Sequence, residues 1–162
     1  MRKSKARALP MNTMLQDEIE IATSGRGFSE LTQAVRTLVS ASGIQAGVAH
    51  IFIQHTSCSL LITENADPQV RADLERYFSR LAPDGDPLFQ HDAEGPDDMP
   101  AHVRAALTGA SLTVPITRGD LALGTWQGIY LWEHRLRPHQ RLVTVTLTGY
   151  SEPQPANDNG NG

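Results

Sequence analysis

The sequence has a single cysteine, Cys58, among 162 residues. An intrachain disulfide is therefore impossible, and no CxxC pair exists to hold zinc or run redox chemistry, so a metal site must use histidine and carboxylate. Apolar runs near the roughly 18 residues of a membrane helix are missing, and the mean hydropathy is −0.31. The basic start Arg2, Lys3, Lys5, Arg7 is not followed by the apolar stretch of a signal peptide. These absences give the expectation of a soluble, cytoplasmic chain with no membrane partner. Excess positive charge is missing as well. With 14 Lys and Arg against 18 Asp and Glu, the net charge is −4, so there is no global field to hold nucleic acid phosphates. The sequence also lacks solenoid repeats, HExxH or zinc-finger spacing, and any protease or phosphatase motif.

What remains is enough apolar material, 40% of the chain, for one domain with an ordinary core. Residues 1–13 are polar, basic and aperiodic, and residues 151–162 are rich in Pro, Gly and Asn. Both read as disordered tails around a single domain at 14–150.

Leu15 to Thr23 reads as a strand, and Ser29 as the cap of a helix through Val39. Val48–Gln54 and Ser59–Thr63 read as two strands, or one bent strand, flanking His55-Thr56-Ser57-Cys58. Asp67-Pro68 starts a helix whose buried stripe is Val70, Leu74, Tyr77, Phe78 and Leu81. Pro83 to Pro100 forms a long loop of the kind that is more often functional than merely connecting. Pro100 opens a short helix with His102 in its first turn. Leu112–Ile116, Leu121–His134 and Arg141–Thr148 are strands, the last alternating Val143, Val145 and Leu147 with threonines. The order predicts an α+β fold, a largely antiparallel sheet or sandwich with two to three helices.

Three histidines stand out: His55 at a strand end, His91 in the acidic loop, and His102 near a helix N-terminus, which keeps an imidazole neutral and fit for a metal. Taken singly, a histidine in a chain carrying six is more often a surface or hydrogen-bonded structural group. Gly124 and Gly128 bracket Thr125, Trp126 and Gln127. That segment reads either as a nest with an aromatic wall for an anionic group and a flat heterocycle, or as packing in a core or interface. Glu64, beside Asn65, and Glu133 are candidate acids or bases if burial raises their pKa, and ordinary carboxylates if it does not. Cys58 and His55 differ by an odd number along a strand, which favours inert packing of the thiol.

Taken together, His55-Thr56-Ser57-Cys58-Ser59-Leu60-Leu61-Ile62-Thr63-Glu64-Asn65-Ala66-Asp67, His91-Asp92-Ala93-Glu94-Gly95, Met99-Pro100-Ala101-His102 and Gly124-Thr125-Trp126-Gln127-Gly128-Ile129-Tyr130 resemble the YjbQ, or UPF0047, family. The resemblance covers nearly all of 15–150. It implies a homotrimer and a thiamine phosphate synthase activity, a promiscuous one, that joins a phosphorylated thiazole to an aminopyrimidine diphosphate. It places His55, His91 and His102 around a divalent metal, zinc, with magnesium or manganese as alternatives. It places Ser57, Thr125, Trp126 and Gln127 near the ligand; the chemistry of the neighbouring residues adds Thr56, Asn65 and Gly124 to that set and makes Ser57, Glu64 and Glu133 the catalytic candidates. The expected partner is a small phosphorylated substrate. A trimeric binding module without turnover, or a metal-assisted phosphate-ester hydrolase, fits the same residues. Cys58 stands where the family leads one to expect a small residue such as alanine.

Overall fold

The structure is a computed structural model that describes residues 8–152; the tail residues 1–7 and 153–162 lie outside it. Alternation in the last strand is the clearest link from sequence to architecture. In β8 (Gln140–Ser151), Val143, Val145 and Leu147 are buried while the threonines between them reach the other face. This strand is central to a five-stranded antiparallel sheet in the order β1-β8-β3-β5-β6. Its other members are β1 (Thr13–Ala22), β3 (Ile44–Ile53), β5 (Ser111–Thr117) and β6 (Asp120–Leu121). The second sheet, in the order β2-β7-β4, contains β2 (Gly27–Glu30), β4 (Cys58–Glu64) and β7 (Gln127–Glu133). With three helices the fold is α+β and largely antiparallel, as expected. The two strands flanking His55 lie in different sheets.

The strands of the domain run one residue into each expected tail. Thr13 already pairs with Gly149, and β8 reaches Ser151. The Asn12 side chain explains the extension: Ser151 N–H donates to its Oδ1 and its Nδ2 donates to Ser151 O, both at 2.9 Å. A side-chain amide thus prolongs the ladder by one step.

The core lies between the sheets and under α1 (Thr32–Ser42), where Val35 and Val39 meet Ile51, Leu60, Leu131 and Val145. Ser29 is not a cap. It pairs with Leu131 inside β2, because Phe28 beside it stacks on Trp132 with centroids 4.5 Å apart, and that packing holds the segment extended. The N-cap is Leu31, and Thr32 Oγ1 accepts Ile129 N–H at 2.9 Å.

Helix α2 (Pro68–Leu81) starts as predicted, with Asp67 Oδ1 accepting Gln69 N–H at 2.8 Å. Its stripe is not buried, however: Tyr77 is 61% and Leu81 52% exposed, and Val70, Leu74 and Phe78 are half-buried. Polar clamps share the work of holding it. Glu75 accepts from Arg104 at 2.7 Å and from Trp132 Nε1 at 2.8 Å. The predicted strand Leu121–His134 is broken between β6 and β7. Gln127 Oε1 accepts Gly124 N–H at 2.8 Å and Gln127 N–H donates to Gly124 O, folding the segment into a knot as the chain changes sheets.

Candidate metal centre

Helix α3 (Asp98–Thr108) begins two residues before Pro100. His102 is therefore in the second turn, where the helix N-terminus acts more weakly on it than expected, and Asp98 stands one turn before it on the same face. The 83–97 loop brings His91 to the same place. One ligand atom from each of His91, Asp98 and His102 lies within 4.8 Å of the others. His91 Nε2 is 2.8 Å from Asp98 Oδ2, and His102 Nε2 is 3.6 Å from Asp98 Oδ1.

Hydrogen bonds fix what these groups offer. His102 Nδ1 is 3.0 Å from Thr56 O, which can only accept. The ring proton therefore sits on Nδ1, and the Nε2 lone pair faces the trio. Arg135 donates to Asp98 Oδ1, to Asp97 Oδ2 at 3.0 Å and to Glu94 O at 2.8 Å. Asp98 Oδ2 is buried and, among the described residues, accepts no hydrogen bond, with His91 Nε2 2.8 Å away. A buried carboxylate with one unpartnered oxygen, bordered by a nitrogen from each of two imidazoles, is a mixed nitrogen and oxygen set of the kind that a divalent cation takes, and makes the trio a candidate metal site.

His55, expected in the metal set, stands outside this trio, and Asp98, which the sequence reading missed, stands in it. The reason is local. Ser57 N–H donates to His55 Nδ1 at 3.0 Å, which leaves the proton of the neutral ring on Nε2. Burial, then Arg141, holds its pKa below the ordinary histidine value. His55 thus presents an N–H where a ligand needs a lone pair. The only sequence signal for Asp98 is its i, i+4 spacing to His102, visible once the helix is begun at residue 98.

The other candidates divide between this end of the sheet and the opposite one. Thr56 supplies the carbonyl for His102, and Ser57 is buried beside it. Glu133 is wholly buried, and Arg141 donates to both of its oxygens at 2.7 and 2.8 Å. Thr23 Oγ1 and Arg135 N–H also donate to it. Burial alone would raise its pKa, but these donors hold it below the ordinary value. Cys58 is buried with its thiol pushed up to about 12, which makes it inert packing.

Asn65, Gly124, Thr125, Trp126 and Gln127 lie at the far end of the β4–β7 ladder, where Gln127 pairs with Glu64 while Glu133 pairs with Cys58. Six strand steps separate the two ends, about 20 Å. Glu64 Oε1 accepts Ala66 and Asp67 N–H there. Asn65 Nδ2 donates to Thr125 O, and Asn65 N–H to Trp126 O. Gly128 is required by packing rather than by a ligand, since a Cβ there would lie 2.8 Å from the Tyr130 ring. Trp126 is 65% exposed on this knot, so it is not a core residue. Trp126→Ala is expected to shift stability by no more than about 0.5 kcal/mol, read as an unchanged melting temperature. Loss of flat-ligand binding worth about 1–3 kcal/mol in the same variant, read by titration, is the mark of a stacking wall.

Two packed antiparallel sheets with a His–Asp–His cluster at a loop–helix junction define a small α+β protein with a candidate metal centre. The chain belongs to the UPF0047, YjbQ-like family, whose profile matches residues 17–150. A UPF0047 protein of Synechocystis is 48% identical over 134 residues, 83% of this chain and 91% of that protein. YjbQ of Salmonella typhimurium is 42% identical over 135 residues, covering 83% of this chain and 97% of its own length. A solved YjbQ/UPF0047-family structure from Clostridium acetobutylicum, 38% identical, covers 81% of this chain and 98% of its own with a TM-score of 0.75. The family is of uncharacterised function. No helix among the described residues is long and apolar enough to cross a membrane.

Proposed function

We propose that this protein is a metal-dependent enzyme acting on a small phosphorylated metabolite, with thiamine phosphate synthase chemistry as the activity its family resemblance implies. The observation that carries the reading is the buried, unpartnered Asp98 Oδ2 2.8 Å from His91 Nε2, with His102 Nε2 3.6 Å from the other oxygen of the same carboxylate. Their two nitrogens and one carboxylate suit zinc best, with magnesium or manganese as alternatives. When bound, the ion supplies positive charge that polarises phosphoryl oxygens and stabilises a departing pyrophosphate.

This chain's own residues divide the remaining work. Arg135 holds one oxygen of Asp98 and so aims the other at the ion. His55 offers its Nε2–H to a substrate oxygen. Glu133 acts as a positioning residue: its fixed charge orients Arg141 and the backbone at Arg135. Ser57 and Cys58 are buried, so neither is an accessible nucleophile, and the reaction runs by positioning and charge rather than by covalent catalysis.

Elemental analysis of protein never exposed to chelator or a nickel column is expected to find about one divalent metal per chain; a value near zero overturns the reading. The loaded protein is then supplied with the phosphorylated thiazole and the aminopyrimidine diphosphate. Release of thiamine phosphate supports the synthase, hydrolysis of a phosphomonoester supports a hydrolase, and neither leaves a binding module.

The homotrimer belongs to the same proposal. A head-to-tail ring joins two different faces of the subunit, which is the way Trp126 and the distant histidines of a neighbouring copy can come to serve one substrate. Light scattering is expected to give three times the 17.7 kDa chain mass. A single chain mass at micromolar concentration counts against the ring.

A further inference from the structure

We propose that the outer face of the five-stranded sheet is the surface through which copies of this chain assemble, with Val48 and Phe52 at its centre. The proposal rests on the homotrimer reading above and adds the surface that closes it. One face of this sheet covers the core, and the other is bare. Along β3 the outward residues Val48, His50 and Phe52 are exposed between buried neighbours, and Met14 of β1 is 69% exposed. An antiparallel sheet can leave one face in water, but that face is then polar. Here Met14, Val48 and Pro115 fall in one row of the strand register, with only Thr148 between them, and Phe52 follows two rows on.

The polar groups of the face are already paired with one another. Gln16 Nε2 donates to Thr146 Oγ1 at 2.8 Å, Gln54 Nε2 donates to Thr144 Oγ1 at 2.7 Å, and His50 Nδ1 lies 3.0 Å from Thr113 Oγ1. Amides and hydroxyls satisfied laterally lose their water at small cost, so the face can be covered without stranding a donor or acceptor. Its carboxylates are Glu18 and Glu20, both on the edge strand β1, and among the described residues no Lys or Arg side chain points out of it. A nucleic acid or an anionic lipid surface needs those cations. The partner of this face must be apolar and nearly uncharged, and a second copy of the same face is both.

The size of the face agrees. Its four long strands span roughly 20 Å across and roughly 30 Å along. That plane of roughly 600 Å², corrugated by side chains, supplies on the order of the 800 Å² that each partner of a stable interface buries. At one end a hollow of about 310 Å³, walled by Pro10, Met11, Val48, Thr148 and Tyr150, is a receptacle for an apolar side chain of the neighbour. Around a three-fold axis the β1–β8 half of one face packs on the β3–β5 half of the next, setting Met14 and Leu142 against Val48, Phe52 and Pro115. Two different surfaces meet, as a ring requires.

The full chain at micromolar concentration is measured by light scattering. Wild type is expected at three times the 17.7 kDa chain mass, and Phe52→Glu and Val48→Glu at a single chain mass with an unchanged far-ultraviolet spectrum. Tyr77→Glu, on the exposed side of α2, is expected to keep the wild-type mass. A wild type of one chain mass overturns both this face and the homotrimer. A trimer that survives both glutamates on the sheet, or that dissociates with Tyr77→Glu instead, keeps the homotrimer and overturns the face. Peroxide oxidation of Met14, followed by peptide mass, needs no variant. In the assembled wild type it is expected to be at least about tenfold slower than in a free peptide of the same sequence, because oxidation follows exposure. Equal rates overturn the face. Metal content is measured separately, so failure of the metal reading shows there and leaves the mass interpretable.

Discussion

Glu133→Ala is expected to destabilise the fold by about 3–5 kcal/mol, because it leaves the Arg141 guanidinium buried without its counter-charge. Arg141 is almost fully buried and directs two donors at Glu133, and Thr23 and the Arg135 amide also lose their acceptor. A denaturation midpoint measured with and without the substitution checks the figure. Acid titration of wild type gives an independent reading of the same pair. The folded-state pKa of Glu133 lies below its ordinary value of 4.5. Its contribution is therefore complete above that value and is lost as the pH falls through the folded pKa. Wild type should lose stability on acidification below about pH 4.5 more steeply than Glu133→Gln, which has no such proton to take up. Parallel acid curves for the two proteins would show that the pair contributes nothing through its charge.

The same carboxylate shows where sequence reading stops. Glu133 was legible as a chemically interesting residue, but not as a saturated one, since its partners Thr23 and Arg141 reach it from other strands. Helix α2 was legible at its start because Asp67-Pro68 is a local signal. Its exposed face was not, because the polar clamps at Glu75 come from Arg104 and Trp132, far along the chain. Strand β8 was legible because alternation alone decides which face is buried. The knot between β6 and β7 was not: Gly-Thr-Trp-Gln has a strand-like composition, and only the return of the Gln127 amide to Gly124 breaks it. At the candidate metal centre two of the three residues could be named from sequence. The third was hidden because beginning α3 at Pro100 leaves Asp98 in the loop, out of register with His102.

Asp98→Asn separates the trio from the all-histidine set. The substitution keeps the side-chain shape, removes the charge that a divalent ion needs, and leaves Arg135 still paired with Asp97. Loss of an outer partner of a ligand already costs about 10–100-fold in metal affinity, so loss of a direct carboxylate ligand is expected to cost at least about 100-fold. His55→Ala is expected to keep affinity within about threefold, since its Nδ1 is engaged by Ser57 N–H and its Nε2 carries the proton. Competition with a coloured chelator measures both variants against wild type, and a thermal melt of each metal-free protein shows that the fold is retained. If His55→Ala loses the ion while Asp98→Asn holds it, the ligands are the three histidines, and His55 must give up its bond from Ser57 to present a lone pair. If Asp98→Asn alone loses it, the carboxylate one helical turn before His102, whose unpartnered Oδ2 lies beside His91, is what completes the site.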